Sequence, residues 1–162
     1  MKYCNKFFPS PKDFLFHIEV FVDRNGKVYL NEAASRLGGG GITHQVELSQ
    51  GVDLKMEFLI SQLKDTEYVS RNTTPPSTSA RLLIPPKFNY ILKKIPLRPP
   101  FKWVRRYKIT GQVAELYLPV KLSNEEIANF LIFARDEQEA LDRIKLLYSW
   151  FCQETEWEPQ NP

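Results

Sequence analysis

Cysteine and histidine are scarce in this chain, and the scarcity removes whole classes of chemistry. Cys4 and Cys152 are too few and too far apart for a disulfide framework or a metal knuckle. His17 and His44 are the only histidines, so a histidine-based triad or a zinc cluster lacks its residues. No apolar run approaches the roughly 18 residues of a membrane span; Phe130–Phe133 is four long. Met1–Lys12 has no apolar h-region and does not read as a signal peptide. Internal repeats and heptads are also lacking. A cytoplasmic protein is the default expectation. The 162 residues, 43% hydrophobic and 25% charged, suit about one soluble globular domain with a real core.

Acidic residues are also unevenly spread. Residues 81–110 carry nine basic side chains and no acidic one, whereas residues 111–162 carry four basic and ten acidic. The basic block could attract phosphates or nucleic acid. Its simpler use is to pair with the acidic C-terminal third inside one fold.

Local signals outline an α+β chain. Phe14–Asp23 and Lys27–Ala34 alternate as strands, and Asn25-Gly26 between them is the strongest short hairpin signal. Four glycines, Gly38–Gly41, then form a loop. Ile42–Leu48 and Asp53–Lys64 read as helices, with Gly51 as the break and Asp53 as a cap. Thr73–Ser79 reads as a loop or connector, and the Asn72-Thr73-Thr74 sequon has no meaning in a cytosolic chain. Seven of the twelve prolines fall between Pro75 and Pro100, which predicts only short edge strands there. Val104–Thr110 and Val113–Leu118 are expected to form a hairpin about Gly111. Ala128–Ala134 reads as an apolar strand. Asp136 caps a helix to about Phe151, with Glu139 completing a capping box and Ala140, Ile144 and Leu147 as its buried stripe. The expected organisation is 1–72 for the hairpin, glycine loop and following helices, 73–80 for a connector, and 81–162 for a small α+β lobe.

The hairpin carries the chemistry. With Asn25-Gly26 as a two-residue turn, cross-strand partners sum to 51. Glu19 then faces Glu32, Phe21 faces Leu30 and His17 faces Ala34, all on one side. Phe16, Ile18, Val20 and Val22 form the other, core-facing side. Opposed Cβ atoms lie about 4.5–5.5 Å apart, where like charges destabilise a sheet. A divalent cation would explain the two glutamates, since Mg²⁺ takes one or two carboxylates together with phosphate oxygens. A shared proton with one raised pKa is a second explanation. A third is that both are solvated, or that one pairs with Arg36 or Lys27. His17, on the same side, either orients a glutamate or is simply packed. Arg36 and the glycines follow closely; a guanidinium binds phosphate or carboxylate, and glycine-loop amides can cradle an anion or merely form a flexible loop.

The run His17-Ile18-Glu19-Val20-Phe21-Val22, Asn25-Gly26, Tyr29-Leu30-Asn31-Glu32-Ala33-Ala34-Ser35-Arg36 and the glycines resembles the catalytic hairpin of ATP-grasp ligases. The likeness is to the branch of L-amino-acid ligases and related carboxylate–amine ligases, where an E-x-A-x-R segment enters a glycine-rich loop. It extends through Val46–Leu54 and covers residues 14–54; residues 81–151 are compatible with the small C-terminal lobe. The resemblance implies ATP and Mg²⁺ as cofactors, with Glu19 and Glu32 as metal ligands. It implies Arg36 on the transferred phosphate, Phe21 and Leu30 beside the adenine, and the Gly38, Gly39, Gly40 and Gly41 backbone on the carboxylate substrate. An amine would then displace phosphate from an acyl-phosphate to give an amide. Many ATP-grasp enzymes have an asparagine two residues after the second glutamate; Ala34 stands there, and Asn31 is on the wrong side of Glu32 to replace it. The hairpin begins about fourteen residues from Met1, so the ATP lobes upstream are expected to be missing. That describes half of a split enzyme needing a separate N-terminal half, a fragment, or a remnant, inactive alone.

A different class of function competes. Phe88, Tyr90, Phe101, Trp103 and Tyr107 lie among the basic residues 81–108, as stacking surfaces for nucleic acid or an acidic partner would. No nucleic-acid motif accompanies them, which makes nucleic acid the lesser expectation.

Overall fold

The structure, a computed structural model, describes residues 15–63, 77–119 and 125–160. The chain divides into two compact units, residues 1–75 and 76–162. Met1–Lys12, the sequon and the first residues of the expected connector lie outside the described residues.

The first unit begins with an antiparallel pair, β1 (His17–Val22) and β2 (Val28–Ala34). Helices α1 (Ile42–Gln50) and α2 (Leu54–Leu63) follow. Gly51, in the left-handed conformation at φ 68°, ends α1, and its N–H donates to the Glu47 carbonyl. Asp53 caps α2: its Oδ1 accepts from the N–H groups of Lys55 and Met56, at 2.9 and 3.2 Å. The expected core face of β1 is not buried. Ile18, Val20 and Val22 are 45%, 47% and 61% exposed. A two-stranded ribbon has no second layer of its own with which to cover a face.

The second unit holds the core. Its first sheet has the order β3-β7-β5, from β3 (Thr78–Ile84), β5 (Val104–Ile109) and β7 (Ala128–Ala134). Its second has the order β6-β4-β8, from β4 (Tyr90–Lys94), β6 (Leu116–Tyr117) and β8 (Glu156–Pro159). All pairings are antiparallel. Helix α3 (Glu137–Glu154) packs on β3 and β7. Asp136 caps it by accepting from the Glu139 N–H at 2.8 Å. The Glu139 carboxylate reaches back to the N–H of Arg135, one residue beyond the expected capping-box partner. Ala140, Leu147 and Phe151 are buried, with Ile144 packed beside them. Leu147, Phe151 and Ile144 meet Phe130 and Ile132 of β7 in one core with Leu92 and Ile127.

Three expectations for this unit are corrected. Thr78 and Ser79 belong to β3 and pair with Ala134 and Phe133, so they are not loop. The prolines do not confine their region to edge strands, because β4 is the central strand of its sheet. They stand between strands: Pro85 and Pro86 follow the end of β3, and Pro96 follows β4, where no ladder N–H is needed. The hairpin about Gly111 does not form either. Thr110 and Gly111 both donate to the Ile127 carbonyl, at 2.9 and 2.8 Å, and Ala114, at φ 68°, donates to the Leu92 carbonyl. The chain therefore leaves β5 and crosses to β4, where Leu116 and Tyr117 pair with Ile91 and Tyr90.

Charge pairing draws on part of the basic block. Arg81 meets Glu126, Lys93 meets Glu158, and Lys94 meets Glu154 and Glu156. Phe101 stacks on Trp103 and Tyr107 on Phe130, both against the core, so three of the five aromatics considered as stacking surfaces serve packing. Among the described residues, no helix is long and apolar enough to cross a membrane.

Candidate functional site

The hairpin turn is longer than two residues. The Gly26 N–H donates to the Asp23 carbonyl and the Asp23 N–H to the Lys27 carbonyl, both at 3.0 Å. Gly26 has φ 78°, while Asn25 is not among the residues of positive φ. This is a three-residue loop closed by a left-handed glycine, not the type I′ turn that Asn25-Gly26 predicts. Asp23 fixes it, its Oδ1 accepting from the N–H groups of Asn25 and Lys27, both at 2.9 Å. Those bonds hold its carboxyl below the usual range, the Lys27 N–H contributing most.

The extra loop residue shifts the pairing to Val22 with Val28, Phe21 with Tyr29 and Val20 with Leu30. A bulge at Asn31 then restores the expected register, so that Glu19 pairs with Glu32, Ile18 with Ala33 and His17 with Ala34. The two offsets cancel at the carboxylates. They do not cancel at Leu30, which lies with Val20 on the face away from Glu19; the expected pairing of Leu30 with Phe21 is replaced by Tyr29 with Phe21. Phe21, two residues beyond Glu19 on β1, shares its face and is 64% exposed.

The bulge also moves Asn31. Its Nδ2 donates to Glu19 Oε2 at 3.2 Å, so it stands on the carboxylate side of the hairpin. His17 Nε2 approaches Glu19 Oε1 at 3.0 Å. Hydrogen bonds from His17 first, and Asn31 second, lower the Glu19 pKa. Arg36 Nη2 lies 3.5 Å from Glu32 Oε1, and its Nη1 donates to the Leu37 carbonyl at 3.1 Å. Each glutamate thus has its own partner. The sequence trace of the bulge was Asn31-Glu32, two polar residues in succession where strict alternation demands one.

The glycines continue the site into α1. A Cβ on Gly38 would sit 2.9 Å from His17 Nδ1 and 3.1 Å from Ile42 Cδ1. Gly40 and Gly41 have φ 60° and 90°, and Gly41 stands at the N-cap of α1, where the N–H groups of His44 and Gln45 turn to its carbonyl.

The donor set suits a hard cation. Two carboxylates on an open face offer oxygen ligands of the kind Mg²⁺ accepts beside phosphate. Among the described residues no group of three or more His, Cys, Asp or Glu side chains is arranged to hold a metal ion, which leaves positions open for phosphate or water oxygens.

No family model and no curated protein matches the chain. Solved structures do. An L-amino acid ligase from Bacillus licheniformis overlays 90% of this chain with a TM-score of 0.69 and 22% identity. A phosphoribosylglycinamide synthetase from Anaerococcus prevotii overlays 89% with a TM-score of 0.63 and 11% identity. In both cases the chain spans 36% of the solved chain's length. At such identities the likeness is one of architecture: the chain has the α+β fold of the C-terminal portion of ATP-grasp ligases.

Proposed function

We propose that this chain forms one wall of an ATP-dependent carboxylate–amine ligase site. The observation that supports this most is Glu19 opposite Glu32, with Arg36 on Glu32 and the glycine loop beginning at Gly38. Glu19 and Glu32 would hold Mg²⁺, and Phe21 offers a flat apolar surface to the adenine. When bound, Mg²⁺–ATP would supply an electrophilic phosphorus, the cation neutralising the negative charge of the phosphate oxygens around it. The substrate carboxylate attacks it, ADP departs, and an acyl-phosphate results. The amine then attacks the acyl carbon, phosphate leaves, the nitrogen loses a proton, and an amide forms. Arg36 would exchange its bonds to Glu32 and the Leu37 carbonyl for the transferred phosphoryl oxygens. Backbone N–H groups of Gly38–Gly41 would hold the substrate carboxylate. No side chain here is needed as a nucleophile.

A further portion of such a ligase, which a separate N-terminal half could supply, would close the opposite wall over the triphosphate. The test is to mix this chain with a candidate N-terminal half and follow ADP release with amino acids as both substrates. Release that requires both chains, a carboxylate and an amine supports the reading. Release unaffected by Glu32→Gln would overturn it.

A further inference from the structure

The proposed reaction leaves His17 without a task, and its surroundings are specific. Its side chain is 14% exposed, against 49% for Glu19, which it contacts. A carboxylate can only accept, so the Nε2 facing it carries the proton. The opposite edge of the ring, at Nδ1, lies against Gly38, where even one methyl group would come within 2.9 Å. The ring therefore spans from the start of the glycine loop to the first carboxylate. Asn31 holds the other oxygen of that carboxylate.

We infer that His17 is a positioning residue: wedged against Gly38, it fixes the Glu19 carboxylate, with Asn31, in the orientation that receives the cation. This rests on the metal-binding role given to Glu19 above. The physical reason is orientation. An exposed glutamate samples several rotamers, whereas donors on both oxygens select one before the cation arrives, as outer partners do for metal ligands generally. The same contact couples the glycine loop to the metal side of the site, because a side chain at position 38 would push the ring off Glu19.

Mn²⁺ alone, followed by electron paramagnetic resonance, is the probe, with the intact chain as the sample. His17→Ala and Gly38→Ala should each weaken Mn²⁺ binding about ten-fold. His17→Gln, whose amide can still donate to Glu19, should restore most of the affinity. In a Glu19→Gln background, His17→Ala should cause no further loss, because its effect passes through Glu19. A structural role would instead add its loss in that background, and this result, or the absence of rescue by glutamine, overturns the inference. The three-bond couplings that report the Glu19 χ1 rotamer supply a readout independent of metal. One fixed rotamer in the parent and in His17→Gln, averaged in His17→Ala, supports positioning; no change in His17→Ala refutes it. Should Mn²⁺ binding prove insensitive to both Glu19→Gln and Glu32→Gln, the metal reading fails by itself, and the couplings still decide whether His17 orients Glu19.

Discussion

Replacing Glu32 by glutamine separates a functional carboxylate from a structural one. Glu32 is about half exposed, 52% for the side chain, and its ion partner Arg36 is 56% exposed at 3.5 Å. An ion pair so well solvated contributes little, and its loss is opposed by relief of the like charge facing it across the strands. The net change in stability should stay within about 0.5 kcal/mol, the range of ordinary surface substitutions. For a domain of 60–100 residues that is at most about 4 °C in melting temperature. Cation binding should behave otherwise, because one of only two carboxylate ligands is lost. Mn²⁺ affinity should fall by about 100-fold or more, the upper end of what changes beyond the first ligands already produce. Melting by circular dichroism, amide exchange across β1 and β2, and Mn²⁺ titration of the same two proteins read both quantities. A variant whose hairpin exchanges freely while Mn²⁺ binds as in the parent would make Glu32 a structural residue and remove the basis of the proposed site.

Other consequences can be checked on the chain as it stands. Calorimetric titration with Mg²⁺–ATP should give weak binding at best, because charges on a face open to water are strongly screened; micromolar binding would mean that the site is already closed. Gly111→Ala should destabilise by about 1–3 kcal/mol, since the added Cβ would lie 2.8 Å from the Cβ of buried Ile127; an unchanged urea midpoint would refute that packing. Tyr107 is pushed up to about 12 by burial, and its hydroxyl donates to the Pro96 carbonyl. Its folded pKa exceeds the unfolded value of 10.0, so the associated stability is complete below pH 10 and is lost as pH rises towards 12. Tyr107→Phe should flatten the decline in melting temperature over that range, and an unaltered decline would show that another group causes it.

The elements legible in the sequence are those whose signals sit in adjacent residues. Asp53 and Asp136 announce helix starts because a cap acts two or three residues ahead, and Gly51 announces a stop because a left-handed residue ends a helix locally. Ala128–Ala134 is apolar but for Asn129 because it is the central strand of its sheet, buried on alternate residues and flanked on both edges. What remained hidden depends on distant residues. β8 carries Glu156 and Glu158 and pairs with β4 more than sixty positions earlier, a partnership no local pattern encodes. The departure of the chain after Ile109 is decided by Ile127 and Leu92, which receive its N–H groups and crowd Gly111. Local pattern favours a hairpin between neighbouring strands, and tertiary packing overrides it.

At the candidate site the sequence led to the right pair through an incomplete route. A two-residue turn and an unbroken ladder bring Glu19 opposite Glu32; so do a three-residue loop and a bulge, because each of the latter moves the register by one residue in opposite senses. The difference is carried by the residues between. Leu30 leaves the carboxylate face, Tyr29 takes the place opposite Phe21, and Asn31 turns onto Glu19. A bulge lets two neighbouring polar residues, Asn31 and Glu32, serve one face of a strand, which regular alternation forbids. The placement of the glutamates thus depends on the bulge as much as on the turn. A ladder with the observed turn and no bulge would pair Glu19 with Asn31 and send Glu32 to the Val20 face. The open two-carboxylate arrangement is built by a local irregularity that brings a hydrogen-bond donor with it, and this is why the carboxylate pair and its orienting partners arrive together.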